Sequence, residues 1–198
     1  MIRLQKMHSL PAIFRTSKRI WVLGLCLASL LWMPHRPVVA DSAVSREDRI
    51  KAAIVYKLAR YVGWPDNSFT DESSPFSMCV LGDGVFATAL YAAEKLKLGD
   101  RPIRFRTVAD VSQAVDRCHL LYVSRYAWKS SPELLAGLRS HPVLTISDAP
   151  DFAPKGGIIG LVKKGSGSGF EINLDQARQS NLKINTLLLD LASVVSGP

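Results

Sequence analysis

Three small residues at the end of an apolar run form the clearest chemical pattern in the chain. Gly82, Gly84 and Ala87 follow the segment FSMCVL and give the spacing G-x-G-x-x-A before a helical pattern. In dinucleotide-binding proteins this spacing forms a tight turn that lets the backbone approach a pyrophosphate. An acid after the next strand would hold the ribose, and Asp110 lies at a tolerable distance. Gly-x-Gly turns also commonly join a strand to a helix, and we favour this simpler interpretation.

Cysteine and histidine offer a second kind of chemistry. Beyond the first forty residues, the sequence contains Cys79, Cys118, His119 and His141. A Cys2His2 zinc site is conceivable from these residue types, but the C-x-x-C and H-x-x-x-H spacings are missing. Adjacent residues of a strand point to opposite faces, so Cys118 and His119 would not bind the same ion. We expect no metal site and no cofactor.

Motifs for hydrolysis and phosphoryl transfer are missing from the sequence. It has no G-x-S-x-G, P-loop or H-E-x-x-H segment, and GSGSG places glycine where a nucleophile would stand. Asp148 and Asp151 are close enough for acid-base work, but an S-D-A-P-D context is more typical of turns. Arg101, Arg104 and Arg106 could meet an anion, although a solvated strand face explains them better. We expect no catalytic residues, and the sequence favours a binding protein over an enzyme.

The first forty residues have the three parts of a secretory signal peptide. A basic head is followed by the apolar run IWVLGLCLASLLWM and then by small residues that end at Ala40. The apolar run is shorter than the roughly 20 residues of a membrane-spanning helix, which makes an uncleaved anchor the weaker alternative. We predict a leader over residues 1–40 and an exported domain, itself not spanning the membrane, over residues 41–198.

Removal of the leader changes both the charge and the cysteine count. The leader holds six of the 25 Lys and Arg and none of the 17 Asp and Glu, so the remaining charge is +2 instead of +8. Without a basic excess, nucleic acid is not an expected partner. Cys26 leaves with the leader, and an even pair in an exported protein favours a disulfide between Cys79 and Cys118. Two buried free thiols are the alternative.

Strand-like and helix-like segments alternate along the rest of the chain. An amphipathic helix is predicted over Arg46–Val62, with Ser45 as its N-cap. The predicted strands are 76–81, 103–108, 118–123, 143–146, 157–162 and 170–173, and the predicted later helices are 85–98, 110–115, 131–139, 174–180 and 185–195. A Gly-Ser turn over residues 165–169 predicts an antiparallel hairpin at one sheet edge. We expect one three-layer α/β domain whose mostly parallel sheet carries helices on both faces.

Five segments resemble those of YfiR-like proteins and occur in the same order. They are KAAIVYKLARYVGWP, CVLGDGVF, CHLLYVS, PVLTISDAPDFAPKGGIIGLV and FEINLDQARQSNLKINTLLLDLA. The resemblance implies a periplasmic protein that binds the periplasmic sensor region of an inner-membrane diguanylate cyclase and represses cyclic di-GMP synthesis. It also implies a homodimer, and it matches Cys79 and Cys118 to the family's paired cysteines, whose oxidation state matters to folding and action.

For a repressor of this kind, we expect the loop from Asp148 to Gly157 to contact the cyclase. Phe152 would be its apolar anchor, with two polar residues of the following hairpin beside it. The expected partner-binding residues are Asp148, Phe152, Gly156, Gly157, Glu171 and Asn173. The alternative is that Phe152 and the glycines only shape a turn, and that Glu171 caps or pairs locally.

A periplasmic sensor of a small ligand is the second functional hypothesis. Open α/β sheets bind their ligands at the carboxyl ends of the parallel strands. The segment after FSMCVL would lie at that edge. The candidate ligand-binding residues are therefore Gly82, Asp83 and Gly84.

Overall fold

The structure, a computed structural model, describes residues 44–82, 84–165 and 167–195. The predicted leader over residues 1–40 lies outside this part of the chain. Helix α1 covers Arg46–Ala59, and the Ser45 hydroxyl accepts the backbone N–H of Asp48 at 3.0 Å, which confirms the predicted N-cap. The helix ends before the predicted Val62 because Val62–Gly63 form strand β1, which pairs with β9 at Lys183–Ile184.

A mixed sheet forms the centre of the fold. Its strands are β2 Phe76–Leu81, β3 Lys97–Leu98, β4 Arg101–Val108, β5 Leu120–Val123, β6 Leu144–Ser147, β7 Ile159–Lys164, β8 Gly167–Asn173 and β10 Ser193–Val195. Their order across the sheet is β10-β8-β7-β6-β5-β2-β4-β3. The pairs from β7 to β4 and the pair β8–β10 are parallel, whereas β7–β8 and β3–β4 are antiparallel. The predicted α/β class and the antiparallel hairpin are confirmed.

Helical segments occupy the connections between the strands. They are α2 Gly84–Tyr91, α3 Ser112–Val115, α4 Arg125–Ser130, α5 Leu174–Gln179, α6 Thr186–Leu191 and 3-10 helices at Asp66–Ser68, Ala92–Lys95 and Pro132–Leu138. No helix in the described part of the chain is both long and apolar enough to cross a membrane.

The side chains of β2 alternate between two buried clusters. This strand is apolar apart from Ser77 and is buried along its whole length, as expected for a strand with parallel neighbours on both sides. Phe76, Met78 and Val80 belong to a cluster that includes side chains of α1 and α2. Cys79 and Leu81 belong to a second cluster, which includes side chains of α4 and of the 3-10 helix Pro132–Leu138.

The predicted helix over residues 85–98 is too long. The α-helix ends at Tyr91, a 3-10 turn continues to Lys95, and Lys97–Leu98 form strand β3 against β4. Gly99 has φ +60° and turns the chain back over two residues. Because Gly pays no steric cost at positive φ, the Gly-Asp pair favours this tight reversal over continued helix.

The segment between β5 and β6 also differs from the prediction. Helix α4 was not predicted, although Ser124 caps it by accepting the backbone N–H of Ala127 at 3.1 Å. The predicted helix over residues 131–139 is a 3-10 helix, Pro132–Leu138. Six residues hold too little apolar periodicity to be separated from a loop, which explains why α4 was missed.

The C-terminal elements correct two further predictions. Lys164 pairs with Gly167, so only two residues separate β7 from β8, and the predicted five-residue turn is wrong. The predicted helix over residues 185–195 ends at Leu191, and Ser193–Val195 form β10 beside β8 in parallel register. The hairpin is therefore not the sheet edge. Two adjacent β-branched residues at the chain end favour this strand.

Candidate functional site

The strand order creates a crevice between β2 and β5 at their carboxyl ends. From β2 the chain adds β4 on one side and then returns to add β5 on the other, so the following connections run in opposite directions. Open α/β sheets bind ligands at such a switch point. A cavity of about 590 Å³ lies there, and we call it the switch-point cleft. Its lining includes Lys51, Gly82, Gly84, Tyr122, Arg125 and Asp148.

Asp148 is the centre of a polar network at this edge. Its carboxylate accepts the hydroxyl of Tyr122 at 2.7 Å and the ammonium of Lys51 at 3.1 Å. The Nε of Arg125 lies 3.1 Å from the same carboxylate and donates to the Asp148 main-chain carbonyl at 3.0 Å. These four residues, the Asp148 network, join α1, the end of β5, the start of α4 and the loop after β6.

The burial of the network members decides how strong their interactions are. The Asp148 side chain is 9% exposed, against 21% for Lys51 and 61% for Arg125. Burial by itself lowers the pKa of Lys51, but the hydrogen bond and the charge of Asp148 outweigh it and raise the pKa above its ordinary 10.5. Lys51 therefore stays protonated. The Tyr122 ring packs on Phe86 of α2 with 4.1 Å between centroids, which fixes its hydroxyl toward Asp148.

Packing at the crevice explains why residue 82 is a glycine. Its φ is +99°, and a Cβ at this position would collide with the Ser124 hydroxyl and come within 3.1 Å of Ala127. A Cβ on Gly84 would meet nothing within 4 Å. One glycine of the G-x-G pattern is thus required by the approach of α4, without any pyrophosphate. Asp83 lies outside the described residues, and ligand binding by Gly82, Asp83 and Gly84 stays a prediction.

Phe152 points into the core. Its side chain is 1% exposed and packs edge-to-face against Trp128 of α4, with 4.9 Å between the ring centroids. A Cβ at Gly157 would collide with the Phe152 ring, so Gly157 is the position that lets the ring in. Gly156 is buried and has φ +104°, a conformation that favours glycine. In this conformation the ring of Phe152 is not available to a partner.

Asn173 is also buried, and its side chain connects three elements. Its Nδ2 donates to the carbonyl of Ala153 at 2.9 Å, while its Oδ1 accepts the N–H of Gln176 at 2.9 Å and caps α5. Glu171, two residues earlier on β8, is half-buried. The structure thus brings the hairpin and the loop of Asp148–Gly157 together, but it places Asn173 inside the contact.

The exposed part of this loop consists of other residues. Pro150, Asp151, Pro154 and Lys155 are exposed, and Lys155 forms an ion pair with Asp151 at 3.3 Å. Asp151 has φ +56°, which bends the loop outward between the buried Ala149 and Phe152. We call these four residues the loop tip. It is the part of the predicted partner-binding loop that solvent, and therefore a partner, can reach.

A disulfide joins Cys79 of β2 to Cys118, with 5.9 Å between the two Cα atoms. The predicted pairing is confirmed, and the alternative of two free thiols is wrong. Cys79 is fully buried and Cys118 is 6% exposed. The bond lies in the same buried cluster as Trp128 and Phe152, and we call these four residues the cross-linked cluster.

His119 lies beside the disulfide but belongs to the other side of the sheet. Its ring stacks on Phe76 and Phe69, at 5.3 Å and 4.4 Å between centroids. Nδ1 accepts the N–H of Ser77 at 2.9 Å, so Nε2 carries the proton and donates to the carbonyl of Ser68. Burial lowers the pKa of His119, and the charge of Arg101 lowers it further, against the Ser68 carbonyl. The ring is therefore neutral at pH 7.

Within residues 44–82, 84–165 and 167–195, no group of three or more His, Cys, Asp or Glu side chains is placed to hold an ion. Cys118 is used by the disulfide, and both ring nitrogens of His119 are used by main-chain groups.

Comparison with protein families shows which family the chain belongs to. The family described as YfiR/HmsC-like matches residues 48–193 of the chain. The chain belongs to the YfiR/HmsC-like family. The matched range contains the disulfide, the Asp148 network and the loop tip, so the features described above lie in the YfiR/HmsC-like region itself.

Sequence reasoning missed most of the Asp148 network. Within the YfiR/HmsC-like range, Lys51 and Asp148 are 97 residues apart, and Tyr122 and Asp148 are 26 apart. Nothing in the local sequence of α1 distinguishes Lys51 from the other Lys and Arg residues of that helix. A signal for Arg125 was present in the sequence. Ser124 could have been recognised as a helix N-cap, which places Arg125 in the first turn. A cation is unfavourable in a first turn unless an acid is near, so this position indicates an acidic partner.

Proposed function

We propose that this protein is a periplasmic regulator that binds the periplasmic sensor region of an inner-membrane diguanylate cyclase and represses cyclic di-GMP synthesis. The observation that carries the proposal is membership of the YfiR/HmsC-like family over residues 48–193. The same proposal includes removal of a leader over residues 1–40, which leaves a mature domain over 41–198. It also includes a three-layer fold with a mostly parallel sheet, a homodimer and a non-catalytic role.

The loop tip is the surface at which we place the cyclase. Asp148 and Phe152 hold the loop from inside, and Asn173 ties Ala153 to the hairpin, so the exposed tip is presented in one conformation. A rigid contact surface loses little conformational entropy on binding. Of the residues predicted to bind the partner, Asp148, Phe152, Gly156, Gly157 and Asn173 then act by positioning the tip, and Glu171 is half-buried on β8.

Repression follows from binding one state of the cyclase better than another. A regulator that prefers the inactive state lowers cyclic di-GMP output without touching the catalytic site. The disulfide makes repression sensitive to reduction. Reduction removes the cross-link between β2 and the segment before β5, which lowers the population of the folded, binding-competent protein.

Deleting the gene and restoring it with variants tests the proposal. Deletion is expected to raise cellular cyclic di-GMP, and the wild-type chain is expected to lower it again. Lys155→Glu takes the loop tip from no net charge to a charge of −2 and is expected to lose repression, while Arg104→Glu, the same kind of reversal at an exposed position on β4, keeps it. Crosslinking followed by pulldown identifies the captured cyclase. Unchanged cyclic di-GMP on deletion, with no cyclase captured, would contradict the proposal.

A small-ligand sensor is the second candidate function, and the switch-point cleft is the observation that favours it. The cleft of about 590 Å³ is within the usual size range of ligand sites and lies where open α/β sheets bind ligands. A screen of periplasmic metabolites by thermal shift tests it. A ligand that raises the melting temperature of the wild type and not of Gly84→Trp, which fills the cleft at an uncrowded position, would support this function.

A further inference from the structure

A second cavity lies between α1 and the β7–β8 hairpin, on the other side of the Asp148 network. Its volume is about 610 Å³, and we call it the helix–hairpin groove. Ligand sites in proteins commonly have volumes of this order. The groove shares Glu47, Lys51, Arg125 and Asp148 with the switch-point cleft but extends away from it toward the hairpin.

Apolar side chains from three segments line this groove. They come from α1, from the start of the loop after β6 and from β7, and they are Ile50, Ile54, Ala149, Pro150, Leu161 and Val162. Ile50 is 48% exposed, so part of this apolar surface faces solvent. Covering this apolar surface would release its hydration water, so an apolar occupant gains free energy on binding.

The charges around the groove do not balance. Four cations line it, Arg46, Lys51, Arg125 and Lys163, against two anions, Glu47 and Asp148. Lys51 and Arg125 are engaged by Asp148, and Lys51 is also 3.5 Å from Asp48 and 3.8 Å from Glu47. Arg46 and Lys163 have no carboxylate within ion-pair distance among the residues that the structure describes. The groove therefore offers two uncompensated positive charges beside an apolar floor.

We propose that the helix–hairpin groove binds a small amphipathic anion, an alkyl chain that ends in a carboxylate. The alkyl chain lies on Ile50, Ile54 and Leu161, and the carboxylate is held by Arg46 or Lys163 at the open rim. The groove meets the loop tip only at Pro150 and contains none of the crevice glycines, so binding there does not require the proposed cyclase partner. Monomeric molecules in solution, and not a membrane surface, are its occupants.

Calorimetric titration of the purified protein with octanoate tests the site. Octanoate is expected to bind once per chain with a dissociation constant of about 0.1 mM, on the basis of the methylene groups it buries. Octanol, which has the same chain without the charge, is expected to bind more weakly. Equal binding of both would overturn the charge assignment, and no saturation by about 1 mM octanoate would overturn the site.

Matched variants locate the binding. Ile50→Glu places a carboxylate on the floor and is expected to weaken octanoate binding about tenfold or more, while Ala53→Glu, exposed on the same helix but outside the groove, leaves it unchanged. Lys163→Glu is expected to weaken it about two- to fivefold, and Lys164→Glu, the next exposed residue, leaves it unchanged.

The same variants give the results that contradict the proposal. Equal losses in Lys163→Glu and Lys164→Glu would show only a general effect of charge and would overturn a defined site. Because Lys163 is exposed, this comparison remains informative even if Ile50→Glu does not fold. Binding to vesicles of phosphatidylglycerol without binding to octanoate would assign the groove to a membrane surface and overturn the small-molecule assignment.

Discussion

Two regions hold the loop after β6 by opposite kinds of interaction. At its start, the Asp148 network uses a charged carboxylate, two cations and a phenol at a half-open cleft. Four residues later, the cross-linked cluster uses aromatic packing around a buried disulfide. The cluster fixes the fold, whereas the network leaves charge and cavities accessible. We infer that changes in the cluster cost the most stability, whereas changes in the network cost less stability and also alter the charge at the two cavities.

The largest expected effect is removal of the cross-link. Cys79→Ala with Cys118→Ala opens a loop with a sequence separation of 39 and is expected to lower the free energy of unfolding by about 4 kcal/mol. Urea unfolding without reductant measures this loss. Reductant is expected to shift the wild type to the same midpoint and to leave the double variant unchanged. A double variant as stable as the oxidised wild type would contradict a stabilising role.

Phe152→Ala is expected to be the next largest change. Truncating a fully buried phenylalanine costs about 3 kcal/mol, through lost burial and the cavity left against Trp128. Pro154→Ala, at an exposed position two residues on, is the control and is expected to leave stability within about 0.5 kcal/mol. In cells, Phe152→Ala is expected to lose repression in proportion to the folded protein lost. Lost repression at normal stability would show that Phe152 contacts the partner directly.

The burial of Phe152 shows which features of the fold could be predicted from the sequence and which could not. The bounds of the mostly apolar strand Phe76–Leu81 were predicted to the residue, because burial on both sides leaves a strong local signal. A single aromatic residue in a loop carries no such signal. Its burial depends on Trp128, 24 positions earlier in the sequence, and on the room left at Gly157. The position of the loop between β6 and β7 was predicted, but which of its side chains are exposed could not be predicted.

A similar limit applies to the ends of the elements. Residues 97–98 and 193–195 were assigned to helices because their apolar residues continue the preceding periodicity. In the structure both become strands, since an adjacent strand offers them hydrogen bonds that local sequence does not encode. The disulfide was predictable because cysteine count and export leave few alternatives.

Asp148→Asn tests the network with a smaller expected effect. The amide keeps the shape of the side chain but loses the charge that holds Lys51 and Arg125, and we expect a loss of about 2 kcal/mol. Asp151→Asn is the matched control, because the Asp151–Lys155 pair is exposed on both sides and contributes less than about 0.5 kcal/mol. Hydrogen exchange in α1 is expected to accelerate only in Asp148→Asn. Equal effects of the two changes would remove the distinction between the network and the loop tip.

The smallest expected effect is a pH dependence from His119, which lies beside the cluster but is linked to neither region by charge. Its pKa is lowered in the folded protein from the ordinary 6.5, so the unfolded chain binds the proton more readily. Stability is therefore full above pH 6.5 and declines as the pH falls below it, until the folded form is also protonated. The pKa values of Asp48, Asp71 and Asp110 are also lowered, but these carboxylates change stability only below about pH 4. They therefore do not mask the effect of His119 just below pH 6.5.

His119→Gln isolates this titration from the general acid response. The variant loses ring stacking on Phe69 and Phe76 and is expected to be less stable at every pH, but its stability is expected to be flatter between pH 6.5 and pH 5. Urea midpoints across that interval measure the difference in slope. An unchanged slope would mean that the decline comes from other groups. A flattened slope would assign the decline to protonation of His119, which removes the Nδ1 acceptor of the Ser77 N–H.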